Sequence, residues 1–213
     1  MIKNIKIKII ITSLITLLPI LIGMLLWREL PDLIPTHFGL DGRADDFSSK
    51  EFAVFFFPLL LLFVHYICLF FIKADPKNKN ISNKVFNIIL WVCPVISLLI
   101  SVLMYLNALK IQINATFATT IFIGAIFVII GNYMPKIKQN YTMGIKLPWT
   151  LNDEENWNKT HRLAGWLWTF GGILVLLSSF FDYQYIIIMA VILPIVLIPA
   201  AYSYSLYKKS KIN

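Results

Sequence analysis

The sequence predicts an all-α, polytopic membrane protein with six transmembrane helices and both termini cytoplasmic. Three observations carry that expectation. Hydrophobic residues make up 58% of the 213-residue chain and charged residues only 14%, whereas about a quarter of a soluble domain is charged. The apolar residues gather into six runs of roughly twenty, the length a helix needs to cross about 30 Å of hydrocarbon. Lysine and arginine, finally, concentrate on alternate connections between those runs.

The first run, 5–27, follows Lys3, Lys6 and Lys8 and so begins like a secretion signal. It is too long for a signal's apolar stretch and ends in Trp27, Arg28 and Pro31 without a small-x-small cleavage pattern, so it reads as a retained helix. The remaining runs cover 52–72, 85–109, 115–134, 163–181 and 185–207. Fifteen basic residues fall on one side: the three N-terminal lysines, Lys73, Lys77, Lys79 and Lys84, five between spans four and five, and Lys208, Lys209 and Lys211. The other side has Arg28, Arg43, Lys50 and Lys110 with most of the acids, Glu29, Asp32, Asp41, Asp45, Asp46, Glu51 and Asp182. The positive-inside rule places loop 28–51 outside and segment 131–165 inside.

The net charge of +8 does not indicate direct nucleic-acid binding, because the basic residues sit at span ends and not in one soluble patch. Near the inner surface they attract anionic lipid at about 1 kcal/mol each. Cys68 and Cys93 lie inside spans and read as small apolar residues, not as a redox or metal pair. No cofactor or metal pattern is evident.

In loop 28–51 the prolines push the preceding residues toward extended conformations, so the loop is not helical throughout. Asp41–Gly42 is a turn signal, and Ser48 with Glu51 fits a capping box opening the second helix. Asp32, His37, Asp41 and Asp45 are candidates for recognising a ligand from outside. Their spacing matches neither a calcium loop nor a zinc site, and the competing reading is that they only cap helices and satisfy backbone groups.

Segment 131–165, GNYMPKIKQNYTMGIKLPWTLNDEENWNKTHRLAG, is polar, aromatic and basic, with hydrophobic runs on both sides. Pro135 ends the fourth helix, and Lys136 and Lys138 at its end suit both the helix dipole and anionic lipid. Gly144 and Pro148 suggest that the chain folds back between them. Thr150 with Asp153, or Asn152 with Glu155, fits a helix start, and Asp153, Glu154 and Glu155 put negative charge where the dipole favours it. The fifth span is therefore expected to begin inside the cell and, if unbroken to Phe181, to run roughly 45 Å. Helical spacing gives Glu154, Trp157 and His161 one face and Glu155, Lys159 and Arg162 the next. A Glu and a His on one face suit general acid–base work. Packing of Trp157 and His161 on the Pro148–Trp149 turn is the structural alternative, and no nucleophile or substrate pocket accompanies the pair.

Two motifs in this chain resemble a known family. LPDLIPTHFGLDGRADDFSSK looks like the N-terminal membrane module of otherwise unknown function found in the SdpI family of bacterial immunity proteins. The Asn132-Tyr133-Met134-Pro135-Lys136 string, Gly144-Ile145-Lys146-Leu147-Pro148-Trp149-Thr150-Leu151, Trp157 and Thr160-His161-Arg162 resemble the second half of that family. One departure is Lys146–Leu147, where an Arg–Thr pair is common. The resemblance implies a multi-pass protein of the bacterial plasma membrane that protects against a secreted membrane-active peptide toxin. In the family's best-known member it also implies signalling, by holding a winged-helix repressor at the membrane. It suggests two modules, 1–73 and 85–213, and a non-enzymatic role. Partner docking would then fall on Asn132, Tyr133, Pro135, Lys136, Asn140, Gly144, Pro148, Trp149, Glu154, Trp157, Thr160, His161 and Arg162.

His65 is the one ionisable residue expected at depth, which by default marks a functional candidate. Without an acid or basic partner it reads as a neutral histidine bonded to a neighbouring helix. Two rival readings stay open. A small transporter or exporter would line its path with His65 and the spans carrying Pro58, Pro94, Pro194 and Pro199, although transporters usually show repeat halves or several buried charges. A membrane enzyme would use Glu154 and His161.

Overall fold

A computed structural model of the chain describes residues 2–39, 43–111, 113–181 and 184–211. In order these form α1 (Ile2–Leu25), strands β1 (Leu33–Phe38) and β2 (Ala44–Ser49), then α2 (Phe57–Ala74), α3 (Asn83–Ala108) and α4 (Ala115–Tyr133). A short α5 (Pro148–Asn152), α6 (Glu154–Ser178) and α7 (Gln184–Ser210) complete the chain. Among the described residues five helices are long and apolar enough to cross a membrane: Ile5–Leu25, Phe52–Ala74, Asn83–Ala108, Ala115–Lys136 and Gln184–Ser210. The remaining long helix, α6, has 25 residues. Its first turns carry Glu154, Glu155, Lys159, His161 and Arg162, which dilute its apolarity.

Helices dominate, but loop 28–51 adds an antiparallel hairpin in which Leu33 faces Ser49 and Pro35 faces Phe47, with irregularities on either side of His37. The expected capping box is not formed. Ser48 instead meets the Thr36 hydroxyl across the hairpin at 3.0 Å, and the Ser49 hydroxyl accepts from the Phe52 amide at 3.2 Å. The following turn, Phe52–Phe56, is widened to a π-helical pitch. Pro58, which lacks an amide and crowds the carbonyl four residues earlier, gives a physical reason for that widening. The Asp41–Gly42 turn lies outside the described residues.

The chain divides into two compact units, Met1–Phe71 with Phe86–Ala115, and Ile72–Val85 with Thr116–Asn213. α3 is grouped with α1, to which Ser97 and Tyr105 bond. In the first unit Leu30, Ile34, Ala53, Val54, Met104 and Tyr105 make one apolar cluster beneath the hairpin. Hydrogen bonds stitch its helices together: Ser97 Oγ to Thr16 O at 2.7 Å and Tyr105 Oη to Pro19 O at 3.1 Å. Such interhelical bonds hold apolar helices that gain little from hydrophobic burial in lipid.

In the second unit small residues bring backbones together. A methyl group on Gly131 would stand 2.5 Å from the Thr169 amide, and one on Gly172 would stand 2.7 Å from the Val128 amide. Gly124 and Gly131 on α4 thus meet Gly165 and Gly172 on α6, the members of each pair standing seven positions apart in the chain. Only glycine permits this approach.

Candidate functional site

The connection 131–165 folds into a knot of buried polar groups held mainly by backbone atoms. After α4 a single 3₁₀ turn, Met134–Lys136, releases the chain. The Trp157 indole donates to Ile137 O at 2.7 Å and is fully buried. Asn140, also fully buried, accepts from the Thr142 and Met143 amides at 2.9 and 2.7 Å, which closes a tight turn. Gly144 then takes a φ of +101°, a conformation that side chains rarely adopt. A Cβ there would collide with the His161 ring and stand 3.0 Å from Trp157.

His161 is 1% exposed and stacked on Trp157 with centroids 4.0 Å apart. Its Nδ1 meets Trp157 O at 2.8 Å and its Nε2 accepts from the Ile145 amide at 3.0 Å. A carbonyl can only accept and an amide can only donate, so the ring is neutral with its proton on Nδ1. Burial pushes its pKa down to about 4, against a smaller upward pull from the Trp157 carbonyl. Both nitrogens are therefore occupied by backbone.

Trp157 and His161 pack on Gly144–Ile145, the glycine leaving room for the stacked rings. Trp149 turns to α7, 5.3 Å from Tyr204 and 5.7 Å from Tyr207 between ring centroids. Glu154 and His161 are not brought together as an acid–base pair: Glu154 is exposed while His161 is sealed. The start of α6 resolves in favour of Asp153, whose carboxylate accepts from the Glu155 and Asn156 amides at 2.8 and 3.1 Å. Thr150 serves the turn before it, accepting from the Leu147 amide at 2.9 Å and donating to Ile145 O at 2.7 Å.

Of the remaining predicted residues, Thr160 is buried and donates to Asn156 Oδ1 at 3.0 Å. Pro135 packs on Gly165. Asn132 accepts from the exposed Lys136 ammonium at 3.3 Å, and that ammonium lies 4.8 Å from the Tyr133 ring centre. Arg162 is exposed, as is Pro148 at the first position of α5.

Three contributors were missed by sequence reasoning. Asp75, 5% exposed, accepts from the Thr142 hydroxyl at 2.6 Å and from the Tyr141 and Lys77 amides at 2.9 and 2.7 Å. Burial alone would raise its pKa, but these bonds outweigh it and hold the carboxyl below its ordinary range. Gln139 donates to Thr150 O and Leu151 O at 2.8 and 3.0 Å, and it accepts from the Lys77 ammonium. Asn156 donates to Ser203 O at 2.9 Å and accepts from the Ser203 hydroxyl at 2.8 Å, which ties α6 to α7. An Asp-Pro step just past an apolar run was a signal for Asp75, since an acid there needs donors; nothing local marked its partners.

The hairpin is built differently. Ile34 is fully buried and Pro35 is buried, while every residue of β2 is exposed or half-exposed. His37 Nδ1 lies 2.5 Å from Asp45 Oδ1, with the two side chains 68% and 53% exposed. The Asp32 carboxylate stands in solvent, 3.5 Å from the otherwise buried Lys50 ammonium. Lys50 in turn donates to Trp27 O at 3.1 Å. Asp41 lies outside the described residues. No group of three His, Cys, Asp or Glu side chains among the described residues is placed to hold a metal ion.

Deep in the first unit His65, 1% exposed, lies 3.3 Å from the Thr12 hydroxyl. Thr12 gives its own proton to Lys8 O at 2.9 Å or Ile9 O at 3.0 Å. The histidine therefore donates from Nε2 to the hydroxyl oxygen. This is a helix-to-helix bond between α2 and α1.

Long apolar helices, interhelical hydrogen bonds and glycine-mediated contacts define a helical membrane protein. Residues 136–203 match the SdpI/YfhL protein family and residues 14–62 match DUF1648, a domain of unknown function. The chain is 30% identical over 210 residues to a Bacillus subtilis (strain 168) protein named Immunity protein SdpI, covering 95% of this chain and 97% of that protein. It belongs to the SdpI family. No solved structure matches it.

Proposed function

We propose that the chain is an immunity protein of the bacterial plasma membrane that protects its host from a secreted, membrane-active peptide toxin. The observation that carries the reading is the near full-length similarity to the immunity protein of Bacillus subtilis. Local chemistry agrees with a binding role, because His161 has both nitrogens engaged by backbone and offers no free base for catalysis. A transporter reading gains nothing from His65, whose ring is bonded to Thr12 and has no buried charged partner among the described residues.

The proposed topology has six spans with both termini inside. Support for α6 as the sixth comes from its outward stripe of Trp166, Phe170, Ile173, Leu174 and Leu177, all exposed, which suits contact with lipid better than with water. Loop 28–51 then faces the toxin with Asp32, His37, Asp41 and Asp45. The basic inner connections face anionic lipid, and the exposed residues of 131–165, chiefly Lys136, Glu154 and Arg162, form the surface for a winged-helix repressor where the host has one. Expression in a bacterium killed by such a peptide tests the reading. Increased survival over an empty-vector control is expected, and unchanged killing by the peptides tried, with the protein verified in the membrane, would overturn the reading for those toxins.

A further inference from the structure

The hairpin has one strand committed to the protein and one that is not. β1 sends Ile34 into the apolar cluster with Val54 and Tyr105, and its Pro35 has no amide to offer. β2 pairs with β1 and, among the described residues, with no other strand. Its exposed face carries Phe47 at 49% exposure beside Leu33 of β1 at 61%. The amide of Phe47 is turned away from the ladder and is satisfied by the Asp46 carboxylate at 2.8 Å. An edge with a local side-chain plug of this kind resists casual pairing but can open when a better partner displaces the carboxylate.

Charge selects that partner. Loop 28–51 carries six acids against three bases in a chain whose net charge is +8. One of those bases, Lys50, is buried with its ammonium turned inward. A second copy of this chain would bring Asp45 and Asp46 against their equivalents, and like charges directly opposed in a sheet destabilise it. A cationic strand with alternating apolar side chains meets both requirements: its charged face lies beside Asp46 and its apolar face covers Leu33 and Phe47.

We propose that β2 captures an extended segment of a cationic, partly apolar peptide by strand addition, with the Phe47 amide released from Asp46 to join the new ladder. This rests on the immunity reading and names how the toxin would be recognised. The whole chain, reconstituted in zwitterionic lipid nanodiscs, is titrated with a short peptide of alternating lysine and valine. A matched peptide with alternate backbone nitrogens methylated keeps the charge but loses one edge of hydrogen bonds. The unmethylated peptide should bind and slow amide exchange at β2, and the methylated one should bind at least about tenfold more weakly. Phe47→Pro, which removes the ring together with an amide the ladder does not use, should weaken binding more than Phe47→Ala, which removes the ring alone, and the Asp45→Lys/Asp46→Lys pair should weaken it by about tenfold.

Equal binding of the two peptides overturns strand addition, as does no binding of the unmethylated one. Exchange protection of β2 that is already complete without peptide would show lipid on the strand and also overturns it. These outcomes are separable from failure of the immunity reading, which is read in cells by survival of the wild-type chain. Protection by a wild-type chain whose β2 ignores both peptides would leave immunity standing and remove this recognition mode.

Discussion

The hairpin and the 131–165 connection carry similar densities of polar residues, yet they handle them in opposite ways. In the connection Asn140, Gln139 and His161, and the Asp75 that binds to it from the end of α2, are nearly or fully buried and bonded largely to backbone amides and carbonyls. In the hairpin Asp32, His37, Asp45 and Asp46 stay in solvent. A motif rich in aromatic and charged residues can therefore be an internal fastening, while a plainer acidic loop is left open to a ligand. Buried and satisfied polar groups fix a conformation; exposed ones remain available.

The comparison breaks most readily at Gly144. Gly144→Ala forces a side chain into a φ of +101° and against the His161 ring, so a loss of about 3–5 kcal/mol is expected from strain and overpacking. Thermal unfolding in detergent would read this, and an unchanged midpoint would mean that the connection is looser than described. Acid should come next. His161 is held neutral with a folded pKa near 4 against an ordinary 6.5. As pH falls from about 6.5 to 4 only the unfolded chain takes up that proton, so stability drops by about 3 kcal/mol and then levels for this group. His161→Gln, which keeps a donor and an acceptor, should flatten that slope in a pH series.

Asp75 works in a lower window, since its pKa is depressed: its contribution is present above the ordinary carboxylate range and is lost as pH falls through the lowered value. Asp75→Asn sets an amide group against the donors that the carboxylate accepts from and should cost about 2 kcal/mol. Faster amide exchange at Tyr141 and Thr142 would report it locally. At the other extreme, His37→Ala or Asp45→Ala removes an exposed pair and should change stability by less than about 1 kcal/mol. A larger loss would mean that the hairpin is fastened like the connection, and the contrast would fail.

The long apolar helices were readable because uninterrupted apolar runs need only length and hydropathy, and the start of α6 because Asp153, Glu154 and Glu155 suit a helix N-terminus. The hairpin was not, since Pro35 and the Asp45–Asp46 pair are poor strand formers and their pairing depends on Ile34 being buried from below. Asp75 escaped because two of its donors, Tyr141 and Thr142, lie more than sixty residues away. The seven-residue spacing of Gly124 and Gly131, matched by Gly165 and Gly172, was visible in the sequence but has meaning only once α4 and α6 are neighbours.

Survival of a toxin-challenged bacterium expressing either the Asp45→Lys/Asp46→Lys chain or the His161→Gln chain, at matched membrane abundance and neutral pH, tests the central contrast most directly. The account predicts that the hairpin variant loses protection while the His161 variant retains most of the wild-type level. Full protection by the hairpin variant, with protection lost in the His161 variant, would contradict it.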